Sequence, residues 1–190
     1  EGSYNISESF AEKLGSWVSS GGNLIAVGSA VRSLEEKKGF NLTKYTEDDA
    51  QKDAEKAEEQ AELEARFDPY EGQARRYIME DIPGAIFKLK MDKTHPLGYG
   101  LGDYYFSLKT GANSYQPLKN TWNVGTIDKN PMYVGFVGSK ALDDVKNSVV
   151  FAVQDKGRGA VTYLIDNPLY RAFWENGKFL FSNAIFMVGQ

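Results

Sequence analysis

Gly21-Gly22-Asn23-Leu24-Ile25-Ala26-Val27-Gly28-Ser29-Ala30 is the stretch that decides the reading of this chain. The Gly-Gly pair predicts a tight turn in the αL manner. Asn23 to Val27 is a continuous apolar run, as expected of a strand covered on both faces. Gly28 then predicts a sharp exit, and Ala30 to Leu34 starts another helix. In an open α/β sheet, the exit at the carboxyl end of a strand is where sites are built. Hydrolytic enzymes of this architecture carry a nucleophile on such a turn, between small residues. Here the turn is present and the nucleophile is missing.

Working outward, Ser7 or Ser9 caps a helix over residues 8–19, with Phe10, Leu14, Trp17 and Val18 at helical spacing. Helix, Gly-Gly turn and strand make half of a βαβ unit. The strand that would precede the helix is not in the chain, and the first residue is not Met. The expectation is therefore a domain truncated at its amino end, with any targeting signal upstream.

Residues 46–66 predict an acidic helix. Thr46 caps it, acidic residues crowd its first turn, and Asp48/Lys52 and Glu62/Arg66 are spaced for ion pairs. Its apolar positions are nearly all alanine, so it reads as a solvated insertion; a lid or a partner-docking helix are the alternatives. Residues 67–82 have no clear period. Residues 85–91 alternate as a half-exposed strand. Thr94 to Gly100 is a loop, and 103–108, 123–127 and 132–137 are short strands. Ala141 to Lys146 is helical. Ser148–Gln154 and Ala160–Ile165 form a hairpin about Lys156-Gly157-Arg158-Gly159. Asn167 and Pro168 suit the start of a short helix that ends by Gly177. Leu180, Phe181, Ala184, Ile185 and Val188 mark a last amphipathic helix. Phe173, Trp174, Phe179, Phe181 and Phe186 are assigned to the core.

Composition excludes several classes. A chain of 190 residues with 42% hydrophobic content can bury one ordinary core. A net charge of −4 offers no footprint for nucleic acid or an anionic membrane. No run approaches the ~18–20 apolar residues of a membrane span. With no cysteine and one histidine, His95, thiol catalysis and multi-histidine metal sites are excluded within this chain.

Four segments together carry a family resemblance: the Gly-Gly-Asn-Leu-Ile-Ala strand, Pro83-Gly84-Ala85-Ile86-Phe87, Thr94-His95-Pro96-Leu97-Gly98-Tyr99-Gly100, and Asp166-Asn167-Pro168-Leu169-Tyr170-Arg171-Ala172-Phe173-Trp174. The chain resembles the C-terminal domain that follows the catalytic module in large bacterial zinc carboxypeptidase-like proteins. That domain is similar to class I glutamine amidotransferases. The resemblance implies an α/β, flavodoxin-like three-layer sandwich carrying the acidic insertion. It also implies a peptidase module upstream as partner, zinc held in that module and not here, and a periplasmic or extracellular location.

An active class I amidotransferase needs a cysteine on the elbow and a His-Pro-Glu run near the last core strand. Aligned on the small residues around the turn, Gly28 takes the nucleophile position and Asn167-Pro168-Leu169 the His-Pro-Glu position. Glycine cannot attack, asparagine is no base at neutral pH, and leucine cannot orient one. The resemblance thus implies a non-catalytic accessory domain. Two alternatives stay open. Ser29 and His95, with Asp103 or Asp166, would make a serine hydrolase. Gly28, Ser29, His95 and Asn167 would line a pocket for a small ligand or peptide, with Arg171 either clamping a carboxylate or tying a helix to the sheet.

Overall fold

A computed structural model describes residues 5–43, 70–172 and 174–189, the side chains of residues 70 and 71 excepted. The predicted acidic helix 46–66 and Phe173 lie outside the described residues.

The first helix, α1, spans Glu8–Ser19; Ser7 Oγ accepts from the Phe10 N–H at 3.3 Å. Its buried face is Ala11, Gly15 and Val18, while Phe10 and Trp17 are exposed. The face expected from the large apolar residues is therefore rotated. Small residues let the helix approach the sheet closely, and a Cβ on Gly15 would meet Lys156 at 3.2 Å. Trp17 instead folds over Gly22, where a Cβ would stand 2.5 Å from its ring.

Strand β1, Asn23–Val27, follows, and then the one-turn helix α2, Ser29–Arg32. After α3, Tyr70–Glu80, come β2 (Gly84–Met91), a 3-10 turn (Pro96–Gly98), β3 (Tyr104–Lys109), β4 (Trp122–Thr126) and β5 (Tyr133–Phe136). Helix α4 (Ser139–Val145) leads into the hairpin β6 (Val149–Lys156) and β7 (Gly159–Leu164). A short turn at Tyr170–Ala172 precedes α5, Glu175–Phe186. Helix α3 has no counterpart in the sequence reading, because its exposed surface leaves the segment without a usable apolar period.

The described residues form a mixed α/β protein built on a seven-stranded sheet. The strand order is β1-β7-β6-β4-β2-β3, with β5 also paired to β2. β1 and β7 run parallel, Asn23 beside Ala160 through Val27 beside Leu164. The other pairings among the described strands are antiparallel. The parallel sheet of a flavodoxin-like arrangement is thus matched at one pair only. β1 is an edge strand here, with Asn23 exposed and Ala26 its one fully buried residue. A short apolar run does not distinguish an edge from a centre.

β6 and β7 are covered on both faces. Val161 and Tyr163 share a cluster with Ala11, Val18 and Val31 on one side. Ala160 and Leu164 share another with Leu180, Ala184 and Val188 of the last helix segment. The hairpin tip docks on α1, where Arg158 N–H donates to Ser19 O at 3.1 Å.

The tail departs from expectation. Gly177 does not break a helix; it lies in the first turn of α5, where a Cβ would fall 1.8 Å from Pro168 O. That approach leaves no room for rings on the inner face. Leu180, Asn183 and Ala184 are buried there, whereas Phe179 and Phe186 are exposed and Trp174 and Phe181 half-buried. The expected core placement therefore holds in part for Trp174 and Phe181, which pack against the buried cluster, and fails for Phe179 and Phe186.

Candidate functional site

The carboxyl ends of β1 and β7 open into a cleft of about 220 Å³, lined among others by Gly28, Ser29, Arg32, Lys109, Asp166 and Asn167. Gly28 closes β1 by donating its N–H to Leu164 O at 2.8 Å, and the chain then turns at once into α2. Its backbone, φ 58° and ψ −122°, is a conformation that strains any residue with a Cβ. The space beside it is nevertheless open: a Cβ there would meet only the Cβ of Asn167, at 4.0 Å. The turn has the sharp strand-to-helix form of a nucleophile elbow, and it aims at Asn167.

β7 delivers Asp166 and Asn167 to the same cleft. Asn167 Oδ1 accepts from the Leu169 N–H at 2.9 Å, which bends the chain back toward α5. Leu169 is half-buried and is not among the residues lining the cleft. Asp166 is buried and fully engaged: Lys109 Nζ donates to Oδ1 at 3.0 Å and Ser107 Oγ to Oδ2 at 2.8 Å. Lys109 is itself only 2% exposed. Beside them the Tyr105 hydroxyl is buried, with no hydrogen-bond partner among the described residues. Burial, and secondarily the charge of Asp166, hold that phenol well above its usual range. At the rim, Arg32 donates through Nε to Asn113 Oδ1 at 3.1 Å.

The other candidates lie elsewhere. His95 belongs to a second cavity, shared with Asp92, Trp122, Asp155 and Gly189. Gly189 touches Asn23, the first residue of β1, whereas Gly28 follows its last. Ser29 and His95 are therefore at opposite ends of a five-residue strand, a span of roughly 13 Å or more. His95 Nδ1 accepts from the Leu97 N–H at 3.1 Å and caps the 3-10 turn. Burial lowers its pKa, against the opposing charges of Asp92 and Asp155. Asp103 is a surface residue paired with Lys93 at 2.6 Å. Ser29, His95 and an aspartate are thus not assembled into a triad. Arg171 is exposed, in a left-handed conformation, its guanidinium 5.3 Å from the Tyr170 ring and outside the cleft lining.

Lys109 and Arg32, which line the cleft, and Ser107, which holds Asp166 from beneath it, are the residues that sequence reasoning missed. The sole signal for Lys109 and Ser107 is the alternation Tyr105, Ser107, Lys109 on β3, a polar set that hydropathy assigns to solvent. No group of three or more His, Asp or Glu among the described residues is arranged to hold a metal ion. No helix among them is long and apolar enough to cross a membrane. No family model matches this chain, no curated protein matches its sequence, and no solved structure matches its fold.

Proposed function

We propose that this chain is a non-catalytic, amidotransferase-like accessory domain that packs on the metallopeptidase module of a zinc carboxypeptidase-like protein. The observation that carries this reading is the elbow itself. Gly28 keeps the strained backbone and the open space of a nucleophile position, yet it bears no side chain, and the residue it faces, Asn167, has no basic nitrogen. Leu169 supplies no carboxylate to orient a base. The buried carboxylate nearby, Asp166, is occupied by Lys109 and Ser107, so it is not free to take a proton from water. In this reading zinc is held by the upstream module, and the parent protein is exported, as such peptidases usually are.

The surface that supports packing is the outer face of β2, β3 and β5. Tyr104, Phe106, Val134 and Phe136 stand on it between 51% and 73% exposed. The register places them on one face, with Phe106 opposite Lys88 and Val134 opposite Ile86. Four large exposed apolar side chains grouped around Lys88, whose Nζ lies 3.6 Å over the Tyr104 ring, suit a contact with another protein surface. The test is titration of this chain with the peptidase module encoded upstream. The reading expects one-to-one association, lost in Phe106→Glu and Val134→Glu. Absence of such a module, or no association with it, overturns the reading.

A small polar ligand in the cleft is the second reading, and one observation favours it. Arg32, Asn113 and Asn167 give the cleft a polar lining beside the open space at Gly28.

A further inference from the structure

The second cavity, about 390 Å³ in volume, opens at the amino end of β1 and is independent of the elbow. It lies where the sheet, the 3-10 turn and the carboxyl end of α5 meet. Trp122, the first residue of β4, is 53% exposed there. Its ring is oriented by Nε1–H, which donates to Asp155 Oδ2 at 2.8 Å. His95 stands beside it, ring centroids 6.0 Å apart and planes tilted by 40°, so the two rings form adjoining walls. An aromatic surface already oriented loses little side-chain entropy when a ligand covers it.

The charge around this surface has one sign. Asp92 and Asp155 line the cavity, and no lysine or arginine does among the described residues. Lys93, next to Asp92, is turned away to Asp103 at 2.6 Å. Met187 and Val188 bring in the carboxyl end of α5, the negative pole of a twelve-residue helix. The His95 ring spends Nδ1 on the Leu97 N–H and adds no anion-binding pair of donors. An anion would be repelled. Both carboxylates are exposed and already accept hydrogen bonds, Asp92 from Thr94 and Asp155 from Trp122, so what they offer a ligand is negative charge, which a neutral polyol does not use. A compact cation with apolar substituents satisfies the ring, the carboxylates and the helix end together.

We propose that this cavity binds an organic ammonium group, a protonated or quaternary amine on a short alkyl arm, seated on the face of Trp122 between Asp92 and Asp155. The group recognised is the cationic head and its alkyl substituents, whatever larger molecule carries them.

The experiment is a titration of the full chain with choline, followed by tryptophan fluorescence, alongside its uncharged isostere 3,3-dimethylbutanol. Saturation by millimolar choline is expected, with no saturable response to the isostere. Asp155→Asn keeps an acceptor oxygen for the Trp122 N–H while removing the charge, and weakens choline binding about five- to tenfold. Trp122→Leu abolishes the fluorescence response. Should that variant fail to fold, as judged by circular dichroism, Asp155→Asn alone decides. No saturation in the wild type, an equal response to the isostere, or undiminished affinity in Asp155→Asn overturns the proposal.

Discussion

Gly28 and Asn167 face each other across the cleft, and a Cβ built on Gly28 would lie 4.0 Å from the Asn167 Cβ. They follow strands that are neighbours in the sheet, yet the two residues lie 139 positions apart in sequence. The parallel pairing of β1 with β7 brings both strand ends to the same rim. In the proposed reading, these two positions are those of a nucleophile and its base, filled here by a glycine and an asparagine.

That geometry fixes what a side chain at position 28 would do. Gly28→Ala meets no steric block, yet it forces a Cβ onto a backbone with φ 58°. The expected cost is about 1–3 kcal/mol of stability, from backbone strain alone. Urea unfolding of the variant checks it, and a neutral result would mean the turn can relax out of the elbow form.

Lys109 and Asp166 form the buried ion pair beneath the cleft. Lys109→Met removes the cation and strands a buried carboxylate, which is expected to cost about 3–5 kcal/mol. Lys109→Met with Asp166→Leu removes both charges and should recover most of that loss. Unfolding midpoints of the single and double variants measure the difference. A double variant no better than the single one would contradict the account.

His95 sets a pH dependence. Burial holds its folded pKa below the ordinary 6.5, so the unfolded chain binds a proton that the folded chain resists. Stability therefore falls as pH drops from 6.5 toward the lower folded pKa, and is flat with respect to this group above 6.5. Asp92, held low by Thr94, acts in a separate window, losing its contribution only as pH falls below 3.8. Urea midpoints at neutral pH and near pH 5 should diverge in the wild type and converge in His95→Gln. Equal slopes in both would show that His95 is not the group responsible.

Gly177 tests the packing of α5. A Cβ at this position would stand only 1.8 Å from Pro168 O, so Gly177→Ala has to push the helix off the strand end. A loss of about 1–3 kcal/mol is expected. Gly102→Ala, where nothing lies within 4 Å and the backbone is ordinary, is the control and should be near neutral.

Much of the architecture was legible because local signals agreed. Ser7, the Gly21-Gly22 pair and the Lys156–Gly159 turn mark boundaries by chemistry that acts over two or three residues, and α1, β1 and the β6–β7 hairpin fall where those signals put them. The pocket expected around Gly28, His95 and Asn167 brings Gly28 and Asn167 together, while His95 lies in another cavity. Two things were not legible: the mostly antiparallel sheet, which has one parallel pair where a flavodoxin-like arrangement was expected, and the choice of face. Phe10 and Trp17 on α1, and Phe179 and Phe186 on α5, are among the most apolar residues of their helices and point outward. Close approach at Gly15 and Gly177 admits small residues instead. β3 inverts in the same way: Phe106 is exposed while Ser107 and Lys109 are buried, because Asp166 arrives from β7 to satisfy them. No pattern within a single strand reports a partner that far along the chain.

The central claim is that the elbow is vacant. Its most direct test is hydrolysis by the purified chain of glutamine amides, simple esters and C-terminal peptide substrates, with and without added zinc. The account predicts no turnover above buffer and no change in Ser29→Ala. Turnover that persists through purification and vanishes in Ser29→Ala would contradict it, and would place the nucleophile one residue beyond Gly28.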